Sequence, residues 1–332
     1  MINLRTLIEG TSAYRSVKGD KAEGRLSHAY LILSRDKDFL DDYLNEFARL
    51  IICDKPLPCG VCRACKLMAE GAYPDLRFYP RKTEDGKEAN VKVEDVQQII
   101  EETYLKAVEG EKKVFVISHG ENLSPVVQNK LLKTLEEPPH NVFILIGATT
   151  DFPLLSTVKS RMKRLEIPAF SAQVLYNTLK EDCPDSERLK EACALADGTV
   201  GKALEIYGND EVAHISQFVR DLVLNMKKSQ NILDFSQRFT EEKLDFAEFL
   251  SVLEVFYRDM LLYFSGGEEK VSNKNNLQTI KSAERYNLGS CIYILEKIAE
   301  AQARKKANAN ATMLVEWLFF QILEGKHKWL KL

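Results

Sequence analysis

The sequence has no long hydrophobic run and no marked excess of charge of one sign, and each absence excludes a class of protein. No apolar stretch approaches the roughly 20 residues that a helix needs to cross a bilayer. The first residues, Met1–Arg5, have neither the basic nor the apolar region of a secretory signal. We therefore expect a protein that stays in the cytoplasm. The formal net charge of −3 argues against a surface built for unaided DNA binding, although a local basic patch is compatible with it.

A phosphate-binding loop is also absent. The apolar run Ala29–Leu33 is a predicted buried strand, and Phe39–Ile52 has the periodicity of an amphipathic helix. A Walker A loop, with glycines and a Lys-Ser/Thr pair, would lie between them. The residues from Leu33 to Asp42 contain no glycine and carry four aspartates where a triphosphate needs positive charge. Like charge and missing backbone clearance both oppose nucleotide binding, so we predict an acidic, solvated loop and helix start.

The carboxylates that would hold Mg²⁺ are missing as well. A Walker B segment is an apolar strand that ends in two acidic residues. The run Val114–Ile117 is instead followed by Ser118 and His119. Neither can replace a carboxylate, because Mg²⁺ is held by hard oxygen ligands. His119 alone indicates a loop or packing residue.

The 332 residues suggest two or three domains, and a hydrophobic fraction of 45% with 29% charged residues is normal for a soluble globular protein. Strands and helices alternate over residues 25–167, which predicts an α/β unit with a mostly parallel sheet covered on both faces. The predicted strands are Ala29–Leu33, Asp75–Tyr79, Lys113–Ser118, Val142–Ile146 and Arg164–Ile167. Beyond Pro168 the pattern is helical, and residues 82–90, 265–267 and 272–276 are predicted loops.

Seven cysteines in a reducing compartment do not indicate a disulfide framework. Cys183, Cys193 and Cys291 stand alone in helix-like sequence and are predicted core residues. The other four form one cluster, Cys53, Cys59, Cys62 and Cys65. Four thiolates at this spacing suit tetrahedral zinc with no open coordination site. An iron–sulfur cluster is the serious alternative, since Cys-x2-Cys-x2-Cys is also a cluster spacing, and chance clustering is the other.

Three further segments give the sequence its strongest family resemblance. Leu131–Pro139 reads Leu-Leu-Lys-Thr-Leu-Glu-Glu-Pro-Pro between two predicted strands, Ala148–Asp151 follows the second of them, and Ser160-Arg161 comes about ten residues later. Together with Arg25–Leu31 and the cysteine cluster, these segments resemble the clamp-loader subunits of bacterial DNA polymerase III. The family's Ser-Arg-Cys motif is matched except for Met162 in its last place.

The resemblance also places the missing nucleotide site. Leu40 falls on the P-loop lysine position, Asp41 on the threonine that follows it, and Ser34 and Phe39 on flanking glycines. Ser118 and His119 fall on the Walker B acid pair. Lys202 lies near the second sensor, where ATP-binding members carry arginine, and no role is assigned to it.

The resemblance implies an AAA+ fold: a P-loop NTPase-like α/β domain over residues 1–168 with a zinc module at 53–65, a helical lid at 169–208, and an all-α collar domain at 209–332. It implies a non-ATP-binding stator with no activity of its own inside the DNA polymerase III holoenzyme. Arg161, with Ser160, would act as an arginine finger on a neighbouring subunit.

The implied partners are the gamma/tau ATPase subunits and the delta subunit of a hetero-pentameric clamp loader. Through the complex they include primed DNA and the sliding clamp; neither a membrane nor a small-molecule substrate is expected. The collar would join the ring through apolar side chains such as Leu314, Trp317, Leu318, Phe320 and Ile322. A self-contained helical core is the alternative for each of them.

Two other functions are alternatives. An active AAA+ ATPase or nucleotide kinase would need the phosphate-binding glycines and lysine that the sequence lacks. A zinc-containing DNA-binding repair or replication factor would need a basic stripe or an aromatic stacking surface, and salt-dependent DNA binding by the isolated chain would favour it.

Overall fold

The computed structural model describes residues 4–80, 91–271 and 274–328, and the chain divides into two units, Met1–Phe170 and Ser171–Leu332. The first unit is built around five strands: β1 (Ala29–Leu33), β2 (Leu76–Tyr79), β3 (Lys113–Ile117), β4 (Val142–Ala148) and β5 (Lys163–Glu166). Its helices are α1 (Leu4–Glu9), α2 (Ser12–Ala22), α3 (Leu40–Ile52), α4 (Arg63–Ala69), α5 (Val93–Thr103), α6 (Pro125–Glu136) and α7 (Ser156–Lys159), with a 3-10 turn at Gly120–Asn122.

The five strands form one parallel sheet in the order β2-β3-β4-β1-β5. The register places Leu31 of β1 beside Ile146 of β4 and Arg164 of β5. Every residue of β1, β3 and β4 is buried, as expected for central parallel strands covered on both faces. All five predicted strands are confirmed to within two residues at each end, and so is the AAA+ type of α/β fold.

Opposite faces of the sheet pack against different helices. Side chains such as Leu31 and Phe115 share a core with residues of α5 and α6. The other face lies against α3, where Gly147 of β4 approaches Leu44 so closely that an added Cβ would lie 2.5 Å from Leu44 Cδ1. The loop between β1 and α3, which the sequence predicts to be a degenerate nucleotide loop, lies at the carboxyl end of β1, between β4 and β5 in the sheet.

Local sequence explains the ends of α6. The Ser124 hydroxyl accepts a hydrogen bond from the Val127 amide at 3.4 Å, and Pro125 occupies the first turn. The helix ends at Glu136, just before Pro138-Pro139, because proline cannot continue it. This end of α6 is fixed to β1 by the His28 ring, whose Nε2 lies 2.9 Å from the Leu135 carbonyl oxygen.

The second unit is helical throughout its described residues. Its helices are α8 (Ala172–Leu179), α9 (Ser186–Leu195), α10 (Val200–Gly208), α11 (Asp210–Asn225), α12 (Ser229–Glu241), α13 (Phe246–Phe264), α14 (Lys274–Ser282), α15 (Leu288–Lys306) and α16 (Ala311–Lys328), with a 3-10 turn at Glu268–Lys270. The expectation of a loop over residues 272–276 is wrong from Lys274 onward, because α14 begins there. The predicted loop at residues 82–90 lies outside the described residues.

Aromatic rings fill the centre of the second unit. Phe218 meets Phe235, Phe249 and Phe319 at centroid distances of 5.7, 6.0 and 6.3 Å. Leu195 of α9 belongs to the same core as α11, α13 and α16. The division into a lid at 169–208 and a collar at 209–332 therefore stays a prediction.

The apolar side chains expected to join a ring divide into two groups. Leu314, Leu318 and Ile322 are buried in the core of this unit, so for these three the self-contained alternative holds. Trp317 is half-buried against that core. Phe320 is 53% exposed and remains available to a partner.

Candidate metal centre, degenerate nucleotide site and arginine site

The four clustered cysteines come together between two helices. Cys53 caps the end of α3, and Cys62 caps the start of α4. Cys59 Sγ lies 3.8 Å from Cys53 Sγ and 4.0 Å from Cys65 Sγ, and all four sulfurs lie within 4.8 Å of one another. Tetrahedral zinc with bonds of about 2.3 Å has sulfur–sulfur separations of about 3.8 Å. The thiol set therefore fits a metal ion of this kind.

The turn through the cluster brings backbone amides to the sulfurs. Gly60 has φ +72°, a conformation that other residues rarely adopt. The Cys62 amide donates to Cys59 Sγ at 3.4 Å, and the Cys65 amide donates to Cys62 Sγ at 3.4 Å. The amides of Cys62 and Val61 lower the pKa of the Cys59 thiol to about 6, while burial raises the pKa of Cys65 to about 12.

Three cations hold the chain around the cluster, and sequence reasoning missed all of them. The Lys21 ammonium of α2 donates to the carbonyls of Leu50, at 2.6 Å, and Lys55, at 2.5 Å, and also to that of Cys53. Two further contacts are Lys112 Nζ to the Ile51 carbonyl at 3.0 Å and Arg5 Nη2 to the Pro58 carbonyl at 2.7 Å. No sequence motif marks these three cations, since their acceptors are backbone carbonyls distant along the chain.

The loop that would cradle phosphates is closed by its own side chains. Leu40, on the P-loop lysine position, is fully buried. Ser34 is buried, and its amide donates to the Ala148 carbonyl at 3.0 Å. Phe39, on a flanking glycine position, is half-buried and precedes the first turn of α3.

The prediction of a solvated acidic loop is wrong for Asp36. Its side chain is buried and accepts a hydrogen bond from the Tyr43 hydroxyl at 2.8 Å. Burial, followed by the Asp36 charge, raises the pKa of Tyr43 well above its usual value. Asp38 and Asp42 are exposed as expected. The partner of Asp36 is Tyr43, one helical turn inside α3, and the sequence of the loop alone does not predict this contact.

The Walker B position is also occupied by internal contacts. The Ser118 hydroxyl donates to the Asp41 carboxylate, so β3 and the start of α3 are joined at the predicted Walker B position. His119 is buried in the following turn at φ +54°. Its Nδ1 lies 3.9 Å from Glu121 Oε1. The loop assignment for His119 is therefore confirmed.

Glu121 is a residue that the sequence analysis missed. Its carboxylate accepts from the Thr149 hydroxyl at 2.7 Å and from the Thr149 amide at 3.2 Å. This contact ties the turn after β3 to the segment Ala148–Asp151 that follows β4. The only signal in the sequence is an acidic residue three positions beyond the predicted strand Lys113–Ser118.

Arg161 lies on the surface just beyond α7, apart from the degenerate loop. Its Nη2 lies 2.6 Å from Glu136 Oε1, and its Nη1 donates to the Thr157 carbonyl at 2.7 Å. Ser160 is exposed and also donates to Thr157, at 3.1 Å. Within the described part of the chain, no contact joins Arg161 to Leu40 or Ser118.

The other assigned side chains have structural surroundings. Lys202 pairs with Asp197 at 2.8 Å, and Cys183, Cys193 and Cys291 are buried, as predicted. In the part of the chain that the structure describes, no helix is both long enough and apolar enough to cross a membrane.

Comparisons with known proteins agree on one family. The family described as "DNA polymerase III, delta subunit" matches residues 10–171. DNA polymerase III subunit delta′ of Bacillus subtilis is 29% identical over 320 residues, 94% of this chain and 94% of that protein. The subunit of the same name from Yersinia pestis is 36% identical over 151 residues, 45% of this chain and 44% of that protein.

More distant likenesses extend to other subunits. DNA polymerase III subunit tau/gamma of Haemophilus influenzae is 29% identical over 213 residues, 61% of this chain and 30% of that protein. A solved structure of a gamma subunit-related protein from Thermotoga maritima is 16% identical with a TM-score of 0.38, covering 97% of this chain and 98% of that chain.

Proposed function

Because the chain belongs to the delta-prime family of DNA polymerase III clamp-loader subunits, we propose that it is the non-ATP-binding stator of the loader. In this role it helps to load the sliding clamp onto primed DNA while neighbouring subunits hydrolyse ATP. The observation that carries the proposal is the closed loop between β1 and α3. Buried Leu40 stands on the P-loop lysine position, and Asp41 bonds to Ser118 across the metal position.

Binding a triphosphate there would require several contacts to break at once. A phosphate cradle is made from free backbone amides and a positive charge. Here the Ser34 amide is already bonded to Ala148, and Asp36 is a buried carboxylate. Filling the site would place phosphate oxygens beside the Asp41 carboxylate, so Coulomb repulsion adds to the cost of breaking these bonds.

Arg161 supplies what a stator can contribute to chemistry. An arginine presented from a neighbouring subunit stabilises the charge on a transferring phosphoryl group, an effect worth about 10³–10⁵ in rate. Arg161 is suited to this role because it lies outside the chain's own degenerate loop, at a surface, with its side chain 34% exposed. Its partner in this proposal is a gamma/tau ATPase subunit. Ser160 fixes the preceding turn through Thr157.

The cysteine cluster is proposed to hold a structural zinc ion. Cys53, Cys59, Cys62 and Cys65 would supply all four ligands, so the ion would organise the segment between α3 and α4 and take no part in ATP hydrolysis. The metal content of purified protein distinguishes zinc from an iron–sulfur cluster, whose colour and iron would be measured directly.

Reconstitution tests the stator proposal. The chain is mixed with gamma/tau and delta subunits, sliding clamp and primed DNA, and ATP turnover is measured for the unsubstituted chain and for Arg161→Ala. We expect the substituted chain to assemble normally and to lower DNA-stimulated turnover, because each ATPase site that faces this chain loses a finger worth about 10³–10⁵ in rate at that site. Failure of the unsubstituted chain to assemble, or full turnover with Arg161→Ala, would contradict the proposal.

A further inference from the structure

The candidate finger is held by a carboxylate of its own chain. Glu136 is the last residue of α6, and its Oε1 lies 2.6 Å from Arg161 Nη2. The two residues are 25 positions apart in the sequence, and the contact forms because α6 and α7 pack together. Glu136 belongs to the Leu131–Pro139 segment, whose function the preceding sections leave open.

The donors of Arg161 are unevenly occupied. Nη1 is engaged by the Thr157 carbonyl at 2.7 Å and by the Ser160 hydroxyl at 3.4 Å, while Nη2 faces the Glu136 carboxylate. Among the described residues, the Nε–H has no hydrogen-bond acceptor. Both terminal nitrogens therefore have partners within the chain. A phosphoryl oxygen that approaches the tip of the side chain must replace at least one of them.

Charge decides which contact opposes a phosphate. Thr157 and Ser160 offer neutral oxygens, whereas Glu136 offers a full negative charge within contact distance of the guanidinium. A γ-phosphate would be repelled by that charge and would compete for the same nitrogen. Glu136 is 48% exposed and Arg161 34% exposed, so water weakens their pair and it can be exchanged readily.

We propose that Glu136 is a positioning residue. It holds the arginine finger in an ion pair and releases it when a phosphate of the neighbouring subunit binds. This inference rests on the finger role proposed for Arg161. The ion pair holds the guanidinium in one place while the neighbouring site presents no phosphate. Because Arg161 must exchange Glu136 for a phosphate oxygen, the pair delays the contact between the finger and the phosphate. Removing the carboxylate should therefore raise ATP turnover under conditions where the finger is not fully engaged.

The adjacent residue provides a matched control. Glu137 is also exposed, carries the same charge and makes no side-chain ion pair among the described residues. Loader is reconstituted with Glu136→Gln, Glu137→Gln, Arg161→Ala and the double variant Glu136→Gln/Arg161→Ala. Steady-state ATP turnover is measured without and with primed DNA. Thermal unfolding of each isolated chain confirms folding, and Glu136→Ala serves as a second variant if glutamine alters it.

The expected result is a two- to five-fold rise in DNA-independent turnover for Glu136→Gln, the size that an exposed ion pair allows. Glu137→Gln should match the unsubstituted chain, and the double variant should match Arg161→Ala. The last comparison separates this holding role from a structural role of Glu136, because a structural effect of Glu136→Gln on turnover would persist without the arginine. Equal turnover for the two glutamine variants, or a fall with Glu136→Gln, overturns the inference.

The outcomes also separate this inference from the proposal beneath it. Normal turnover with Arg161→Ala contradicts both the finger role of Arg161 and the holding role of Glu136. Slow turnover with Arg161→Ala, combined with no effect of Glu136→Gln, contradicts the holding role of Glu136 alone.

Discussion

At the scale of single residues, the proposed degenerate nucleotide site is closely packed. Leu40, on the predicted P-loop lysine position, is an apolar side chain that is fully buried. Asp41, on the predicted threonine position, carries a carboxylate that accepts from Ser118. Buried side chains of this kind stabilise the fold through packing and hydrogen bonds. The residues at these positions are therefore explained by the contacts that they make within the fold.

Residue-scale reasoning also gives a test of the metal centre. A tetrathiolate zinc site carries a net charge of about −2, and Lys21 is the cation that holds the backbone on the Cys53 side of the cluster. Lys21→Met removes the positive charge of the lysine and leaves three backbone carbonyls without their hydrogen-bond donor. We expect zinc affinity to fall by about 10- to 100-fold, the usual effect of losing an outer-shell partner.

The measurement is competition with a chromophoric chelator. Lys18→Met is the control, since Lys18 lies on the same helix, α2, and is exposed. Lys21→Arg should recover part of the affinity because it restores the charge. Equal zinc affinity in Lys21→Met and the unsubstituted chain would show that the lysine does not support the site.

Sequence predicts some residue roles and not others for a physical reason. The four cysteines were found because metal ligands must be close in a short turn. The Glu136 partner of Arg161 and the Tyr43 partner of Asp36 were not found, because they depend on how helices pack or on burial of a loop. A tertiary hydrogen bond leaves no periodic trace in the sequence.

At the scale of helices and strands, continuous apolar runs were the reliable signal. The central strands β1, β3 and β4 are buried on both faces, so each is an unbroken hydrophobic segment. The helices α1, α2 and α4 were missed. Two of them have seven residues or fewer, and α2 carries serine and glycine that weaken its helical pattern.

The close packing of α3 on β4 can be tested with one methyl group. In Gly147→Ala the added Cβ would lie 2.5 Å from Leu44, inside a packed layer. We expect the substitution to lower the free energy of unfolding by about 1–3 kcal/mol, measured by chemical denaturation, because overpacked cores strain their neighbours.

Gly19→Ala is the matched control for that experiment. Gly19 lies within α2 and is exposed, and an added Cβ meets nothing within 4 Å. Alanine there should stabilise the protein by up to about 1 kcal/mol through helix propensity. If Gly147→Ala lowered the free energy of unfolding no more than Gly19→Ala, the result would contradict the close packing of α3 on the sheet.

At the scale of the whole molecule, the proposed assembly requires the helical unit to present a surface to other subunits. Residues with buried side chains, such as Leu318, cannot contact a partner, whereas Phe320 and Met313 of α16 are 53% and 72% exposed. Their spacing of seven residues places both on one side of the helix, and apolar side chains grouped on one face are typical of an interaction surface. We expect the double substitution Met313→Ser/Phe320→Ser to weaken assembly.

Co-purification with gamma/tau and delta subunits measures that effect. Truncating a large apolar side chain at the centre of an interface can cost about 2 kcal/mol or more, so recovery should fall at least about ten-fold if these two side chains are central. Leu233→Ser is the control, because Leu233 is 67% exposed on α12 of the same unit. Full recovery of the double variant would place the interface elsewhere.

For the chain as a whole, we propose that it keeps the fold of an ATPase family without binding ATP. Isothermal titration of the isolated chain with MgATP tests this most directly. We expect no saturable heat at nucleotide concentrations up to about 1 mM, a dissociation constant that corresponds to about −4 kcal/mol. Stoichiometric binding of MgATP with a micromolar dissociation constant, lost on adding EDTA, would contradict the account.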